Sequence, residues 1–168
     1  MVKWTFEDDC QAPQAKIKIE YRGKNPFSMV QRIKPILQRI FEIETKDYWE
    51  RDFRWDITSD PRSFYVRVYA NKGLDFRSGI LGEIIFQGYQ PSDPNKDGSL
   101  VIFISAKLKT EFSFVGKFQN LAFYRGLIKI YNFMFYNKVR RGYIVYCNDL
   151  LVRVNRDVRQ ALSLPNAK

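Results

Sequence analysis

The chain of 168 residues contains no histidine. Imidazole is the usual general base, proton shuttle and zinc ligand near neutral pH, so its absence excludes the ordinary catalytic triads and most zinc sites. An enzyme built from this chain would need a tyrosine, a carboxylate or a lysine as its acid or base, and no motif nominates one. We therefore predict no catalytic residue, no metal and no cofactor, and we favour a protein that is not an enzyme.

Cysteine is almost as scarce as histidine. The two cysteines, Cys10 and Cys147, have no spacing suited to a metal site or a redox pair. Free buried thiols are the favoured interpretation, because proteins inside cells are usually kept reduced. A Cys10–Cys147 disulfide is the alternative, since intracellular proteins of hyperthermophiles do contain such bonds.

Long apolar runs are also lacking. No uninterrupted run reaches the length of about 18 residues that a membrane-spanning helix needs. The most hydrophobic segment, residues 118–136, is interrupted by Gln119, Asn120, Arg125, Lys129 and Asn132. The first nine residues are polar and acidic, unlike the basic and then apolar start of a secretory signal peptide. We expect a cytoplasmic protein without an integral membrane span.

Acidic residues are scarce in only one part of the chain. Residues 106–168 contain 12 Lys and Arg against 3 Asp and Glu, whereas residues 1–105 contain 16 against 15. The formal net charge of +10 favours an anionic partner such as nucleic acid or an acidic membrane surface, and a basic solvated face is the plainer alternative. The densest basic group, predicted to contact RNA or another polyanion, consists of Lys138, Arg140, Arg141, Arg153 and Arg156.

The first two thirds of the sequence alternate between apolar and polar residues, as half-buried strands do. In the first such segment Ile17, Ile19 and Tyr21 share one face, and charged residues share the other. The same period of two marks four later segments, residues 49–57, 64–71, 80–89 and 99–114. Residues 27–41 have helical spacing instead, but Pro35 inside them predicts two short helices or one kinked helix.

One predicted strand face combines two rings with a guanidinium. Tyr65, Arg67 and Tyr69 alternate along the segment 64–71, and such a combination can stack on unpaired nucleic-acid bases. The alternative is a solvated face whose rings pack over neighbouring side chains. The sequence favours this alternative, because the glycine and aromatic signature of a known RNA-binding sheet is missing.

The last third of the sequence has helical spacing. Apolar residues three and four positions apart run through residues 118–139. A second apolar stripe beside them consists of Phe123, Leu127, Ile130 and Met134. Because the combined apolar arc is unusually wide, we expect this helix to contact more than one neighbour. Gly142 is placed to break or bend the chain before a further helical stretch over residues 143–162.

The order of these elements is similar to that of the START-like, or helix-grip, superfamily. The resemblance covers about residues 15–164 and is to small uncharacterised archaeal members in particular. It implies an α+β domain in which a curved antiparallel sheet, with two short helices after its first strand, packs against a long C-terminal helix. We expect one domain over residues 1–168, with the first 14 residues as an irregular extension. The sequence shows five clear strands, where the superfamily usually has six or seven.

The resemblance also implies an apolar cavity between the sheet and the C-terminal helix, open to a small hydrophobic ligand or lipid. The predicted lining consists of Trp49, Phe53, Trp55, Phe64, Phe118, Tyr124, Tyr131 and Phe135. Aromatic residues at such spacing fill a core more often than they line a pocket, so a packed interior is the structural alternative. The functional alternative is an accessory protein that binds RNA or a ribonucleoprotein through the basic C-terminal surface.

Overall fold

A computed structural model describes residues 2–114, 122–131, 134 and 136–165 of the protein. Within these residues, six antiparallel strands form one curved sheet, and helices cover one of its faces, so the fold class is α+β. The strands are β1 (Val2–Asp9), β2 (Ile17–Gly23), β3 (Tyr48–Trp55), β4 (Arg62–Gly73), β5 (Ser78–Gln90) and β6 (Gly98–Phe114). The helices are α1 (Ser28–Phe41), α2 (Ala122–Tyr131) and α3 (Asn137–Ala161), and a 3₁₀ turn at Thr45–Asp47 precedes β3.

The longest strand, β6, organises the sheet. It pairs with β5 along one edge, while β2 and β1 share its other edge. Strand β2 lies beside residues 98–104, and β1 lies beside residues 107–114. The sheet continues from β5 through β4 to β3, where a register shift marks a bulge around Arg51.

Alternation along the strands decides which side chains are buried. The even-numbered residues of β4, β5 and β6, from Phe64, Ile80 and Leu100 onward, share the face that α1 and α3 cover. Helix α1 buries Met29, Val30, Ile33, Leu37, Ile40 and Phe41 against this face. Helix α3 buries Cys147, Leu150, Leu151, Val154 and Val158. We call the opposite side of the sheet, which no described element covers, the outer face.

The N-terminal strand corrects the sequence analysis, which expected an irregular extension there. Strand β1 pairs with the C-terminal half of β6, with Trp4 opposite Phe112 and Phe6 opposite Thr110. The alternation in β1 is short and ends in acidic residues, so its pattern alone is weak. Pairing with a strand far away in the sequence is what makes the segment a strand, and it raises the strand number from the predicted five to six.

The helical insert decides between the two alternatives predicted for it. The structure has one helix, which runs from Ser28 to Phe41 through Pro35, and not two short helices. A proline inside a helix removes one backbone donor and crowds the preceding turn, at a cost of about 3 kcal/mol. Pro35 lies on the exposed side of α1, and buried residues before and after it pack against the sheet. Tertiary packing therefore outweighs the local penalty.

The C-terminal helical segment is not broken at Gly142 as predicted. Helix α2 ends at Tyr131, α3 begins at Asn137, and Gly142 lies inside α3. Gly142 is exposed, and the buried residues from Cys147 to Val158 stabilise the helix beyond it. Among the described residues, no helix combines the length and the apolar character needed to cross a membrane.

The two cysteines form a disulfide, so the prediction of free thiols is wrong. Cys10 directly follows β1, and Cys147 lies in the middle of α3; their exposed fractions are 3% and 0%. Sequence spacing could not reveal the pair, because the topology of the sheet brings Cys10 under α3. The bond joins the N-terminal strand to the C-terminal helix across 137 residues.

Candidate functional site

The layer between the sheet and the helices is packed with side chains. Phe86 and Ile102 on the sheet are 0% exposed, as are Val154 and Val158 on α3. Grooves of about 240 to 570 Å³ lie instead on the outer face, at the ends of the sheet and between the exposed sides of α1 and α3. The described residues thus form a filled interior where the sequence predicted a ligand cavity.

Three of the predicted lining residues belong to one aromatic cluster. Phe53, Trp55 and Phe64 surround Phe27, with ring centroids 4.4 to 6.2 Å from that of Phe27. Phe64 is 3% exposed, whereas Phe53 at the margin of the cluster is 55% exposed. These rings therefore close one end of the core, as aromatic residues in a packed interior do.

The other predicted lining residues lie elsewhere. Trp49 is on the outer face, where its ring stacks on Tyr69, and Tyr131 is on α2 with 44% of its surface exposed. Phe118, Phe135 and the side chain of Tyr124 lie outside the described residues. The described members of the predicted set therefore occupy three separate places and do not share one cavity.

Arg140, one of the five predicted anion-binding residues, is part of the fold. Its guanidinium is almost fully buried, forms an ion pair with Asp8 on β1 and lies 5.3 Å from the ring centre of Phe6. A buried charge needs such a partner, because losing the partner would leave it unpaired in a medium of low dielectric constant. Arg140 therefore joins α3 to β1 and is not accessible to an external anion.

The remaining four basic residues divide into two pairs. Arg153 and Arg156 each contact an aspartate of α3, at 2.7 and 3.3 Å. Lys138 and Arg141 near the N-terminal end of α3 are exposed. The structure thus separates the predicted basic group, and Lys138 with Arg141 forms its accessible part without an aspartate partner among the described contacts.

Helix α2 exposes a row of large apolar side chains. On α2 and just after it, Phe123 is 78% exposed, Leu127 48%, Ile130 55% and Met134 57%. We call these four residues the α2 stripe. The wide apolar arc in the sequence predicts a second neighbour for them, but no described element covers them. Contiguous exposed apolar surface of this kind is typical of an interaction surface.

The opposite side of α2 is seated on the protein. Ile128 packs against a small cluster formed by Phe112 and Tyr136, and the Lys129 ammonium lies 5.5 Å from the ring centre of Trp4. The helix therefore rests on the β1–β6 end of the covered face, with its stripe turned outward.

A further exposed ring lies beside this end of α2. Phe76, in the turn between β4 and β5, is 86% exposed. The guanidinium of Arg77 lies 4.6 Å from the ring centre of Phe76 and 5.8 Å from that of Tyr131. Arg77 thus places Phe76 next to the C-terminal end of α2, where it extends the apolar surface.

The sequence around the α2 stripe contains only one sign of charge. Residues 112–148 include no Asp or Glu. Their six basic residues are Lys117, Arg125, Lys129, Lys138, Arg140 and Arg141. This acid-free stretch is the signal by which sequence analysis could have found the surface, because it coincides with the wide apolar arc.

A partly buried polar cluster joins the β4–β5 turn to the segment that follows α2. The Oδ2 atom of Asp75 accepts hydrogen bonds from the hydroxyls of Tyr136 and Tyr143, at 2.9 and 3.0 Å. Its Oδ1 atom accepts from the backbone N–H groups of Arg77 and Ser78, at 2.7 and 2.6 Å. With four bonds to its two oxygens, this carboxylate fixes the position of α3 and is not available as a general base.

The pKa shifts in this cluster agree with its geometry. Burial by itself would raise the pKa of Asp75, but the four hydrogen bonds together lower it below its ordinary value. Burial, reinforced by the Asp75 carboxylate, raises the pKa of Tyr136 to about 12. Both groups therefore keep their usual charge state over the neutral range.

No family model matches the chain, and no curated protein matches it in sequence. Among solved structures, a protein of unknown function from Staphylococcus aureus is similar to it at 9% identity, with 96% of this chain and 98% of that chain covered. The TM-score is 0.25, which does not relate the two folds. Assignment to the START-like superfamily stays a prediction.

Proposed function

We propose that this domain binds the surface of anionic lipid membranes, with the α2 stripe entering the boundary between headgroups and acyl chains. The supporting observation is the exposure of three large apolar side chains on one side of α2 and of Met134 just after it, inside a stretch of sequence that holds only basic charges. Helices that lie in a membrane interface combine these two properties.

Two contributions to binding add together. Apolar burial is worth roughly 25 cal/mol per Å², so each stripe side chain that enters the apolar region contributes about 1 to 2 kcal/mol. Each Lys or Arg near an anionic membrane surface contributes about 1 kcal/mol. Lys138 and Arg141 are exposed in the first turns of α3, which follows the stripe in the chain, and supply this second contribution.

Other partners would satisfy only one of these features. A nucleic acid would neutralise the basic residues but leave the α2 stripe in water. A second copy of the chain would cover the stripe but bring two surfaces of the same charge together, which disfavours association. An anionic membrane offers apolar and negatively charged contacts at once.

The lipid binding expected from the START-like resemblance is kept in this proposal, with the lipid contacted at the surface of the protein. The helix-grip assignment is supported by the α+β class, the curved antiparallel sheet and the helix α3 over its core. An internal ligand stays a prediction that native mass spectrometry with lipid extraction would test. RNA binding through the basic C-terminal residues also stays a prediction.

Vesicle flotation tests the proposal. Wild-type protein should float with vesicles containing about 30% phosphatidylglycerol in phosphatidylcholine, and less with phosphatidylcholine alone, because charge and apolar burial both contribute. Leu127→Glu with Ile130→Glu should lower the vesicle affinity more than tenfold. The matched control is Val145→Glu with Val152→Glu, which changes two apolar residues on α3 that are 71% and 55% exposed. This control should float like wild type.

Two results would contradict membrane binding. The first is equal flotation of the stripe variant and wild type. The second is a wild-type dimer in light scattering that the stripe variant dissociates, together with no flotation of the wild type, which would assign the stripe to a second copy of the chain.

A further inference from the structure

The outer face of the sheet presents an exposed tryptophan on a rigid support. The ring of Trp49 stacks on that of Tyr69, with centroids 5.6 Å apart and planes at 21°. Tyr69 is itself fixed, because its hydroxyl donates a 2.8 Å hydrogen bond to Glu83 and it is only 9% exposed. Trp49 remains 41% exposed. The indole is therefore held in one orientation with part of its surface available.

A groove of about 430 Å³ begins at Trp49 and has the size of a small-molecule site. Its lining includes Trp49, Asn71, Asp75, Arg77, Lys109 and Glu111, and the backbone of Gly79. Gly79 contributes no side chain, which leaves the floor of the groove open. The lining thus combines one large ring, one amide and two cations.

The two acidic side chains that line the groove already have partners within the protein. Glu111 forms ion pairs with Lys3 and Lys109, at 2.5 and 2.9 Å. Asp75 is saturated by its four hydrogen bonds. The guanidinium of Arg77 lies over aromatic rings and, among the described residues, makes no carboxylate contact. Arg77 is therefore the cation best placed to meet an anionic group in the groove.

We infer that this groove binds a nucleotide unit, with the base against Trp49, a base edge at the Asn71 amide and the phosphate at Arg77. Aromatic side chains stack on any base, and arginine pairs with phosphate through two parallel hydrogen bonds. The inference does not depend on the α2 stripe, although the Arg77 guanidinium also lies over the ring of Tyr131 on α2. Trp49 on the outer face is the residue that separates this proposal from membrane binding.

The nucleotide unit can be a free nucleotide or part of a single-stranded nucleic acid. Residues next to the groove would contact only the second of these ligands. Tyr65 lies four residues from Tyr69 along β4, roughly 13 Å away at the usual rise of a strand. The guanidiniums of Arg54 and Arg67 lie 5.8 and 5.7 Å from the ring centre of Tyr65. A single strand that extends from the groove would meet Tyr65 as a second stacking position.

Calorimetric titration of the full chain with adenosine, AMP and an octamer of riboadenylate tests the inference. Wild type should bind AMP more tightly than adenosine, and Arg77→Gln should abolish that difference. Trp49→Ala should weaken AMP binding about tenfold or more, while Trp49→Phe should retain most of it, because a ring persists. Tyr89→Ala is the matched control, since it removes a 53% exposed ring from the far end of the same face and should change nothing.

The outcomes separate cleanly. Absence of AMP binding and octamer binding in wild type, or unchanged affinity in Trp49→Ala, would overturn the inference. Tighter binding of the octamer, weakened by Tyr65→Ala, would identify the single strand as the source. Equal affinity for AMP and the octamer would identify the free nucleotide. Trp49→Ala should still float with vesicles. Failure of nucleotide binding can therefore be distinguished from failure of membrane binding.

Discussion

Arg140 and Asp75 are charged residues that act inside the fold. In the sequence, Arg140 belongs to a basic group and Asp75 stands between two predicted strands, and both positions are typical of the surface. In the structure Arg140 pairs with Asp8, and Asp75 accepts hydrogen bonds from Tyr136 and Tyr143. A charge-reversal variant that includes Arg140 would therefore test folding and not anion binding, whereas Lys138 and Arg141 can be changed without that effect.

Replacing Asp75 with asparagine should destabilise the protein in a pH-dependent way. The Asp75 pKa is lowered from an ordinary value of 3.8, so the stabilisation it provides is present above that value and is lost as the pH falls through its folded-state pKa. Asp75→Asn should cost about 2 kcal/mol near neutral pH, the usual value of hydrogen bonds to a charged group. The difference in unfolding free energy between wild type and Asp75→Asn should become smaller below about pH 4. Urea denaturation at several pH values measures this.

Tyr136→Phe provides the matching alkaline control. Because the pKa of Tyr136 is raised from 10.0 to about 12, its contribution is present below the ordinary tyrosine value and is lost as the pH rises through about 12. The phenylalanine variant should lack that alkaline loss and keep the acidic one. A wild-type advantage over Asp75→Asn that stays constant from neutral to acidic pH would show that Asp75 is not ionised in the cluster.

At the scale of elements, packing decides where helices begin, end and continue. Pro35 lies inside α1 and Gly142 inside α3, although both residues disfavour helix interiors. Each helix buries a continuous apolar side against the sheet, and burial of several large side chains outweighs a local penalty of a few kcal/mol or less. The α2 stripe shows the opposite combination. Its amphipathic pattern is clear, but no described element packs against its apolar side chains.

Gly142→Ala should stabilise the protein. A Cβ atom at this position would touch nothing within 4 Å, and alanine is favoured over glycine inside a helix by roughly 1 kcal/mol. Thermal unfolding should therefore shift upward by a few degrees. Gly82→Ala is the contrasting variant, since its Cβ would lie 3.0 Å from a ring carbon of the buried Phe41, and it should unfold at a lower temperature. A lower unfolding temperature for Gly142→Ala would contradict the helical assignment at that position.

At the scale of the whole molecule, α3 connects distant parts of the chain. It is joined to the residue after β1 by the Cys10–Cys147 disulfide and to α1 by the 2.7 Å ion pair between Asp157 and Arg39. The Tyr143 hydroxyl joins it to the β4–β5 turn. The two proposed surfaces, the α2 stripe and the outer-face groove, lie on opposite sides of the sheet that these links stabilise.

Removing the disulfide should lower the stability of the whole domain. A bond that closes 137 residues restricts the unfolded chain strongly, and roughly 3 to 5 kcal/mol is expected from loops of this length. Urea denaturation measures the free energy of unfolding of the oxidised protein and of the protein reduced before the titration. The reduced protein should be less stable by that amount. Cys147→Ser should resemble the reduced protein.

Alkylation provides the control for the disulfide. In the native protein neither cysteine should react, because both are buried and bonded. Modification of two thiols after unfolding without reductant would contradict the bond.

Several features were accessible from the sequence and several were not. The alternation in β2 and in β3 to β6 predicts those strands, because each has a face of its own to bury. The irregular N-terminus was wrong, because β1 depends on a distant partner. Local sequence left two short helices and one kinked helix as alternatives, because the continuity of α1 depends on the sheet beneath it. The outer-face pair of Trp49 and Tyr69 was divided between two predicted features, since cross-strand register is not visible in either strand alone.

The sequence by itself determined the α+β class, the order of most elements, the absence of imidazole chemistry and the basic character of the C-terminal third, because composition and period are local properties. Only the tertiary structure decided that the described core is packed, that the cysteines are bonded, that Arg140 is an internal ion pair and that no described element covers the α2 stripe. These are questions of which surfaces meet. Their answers depend on contacts between residues far apart in the chain, which no local pattern specifies.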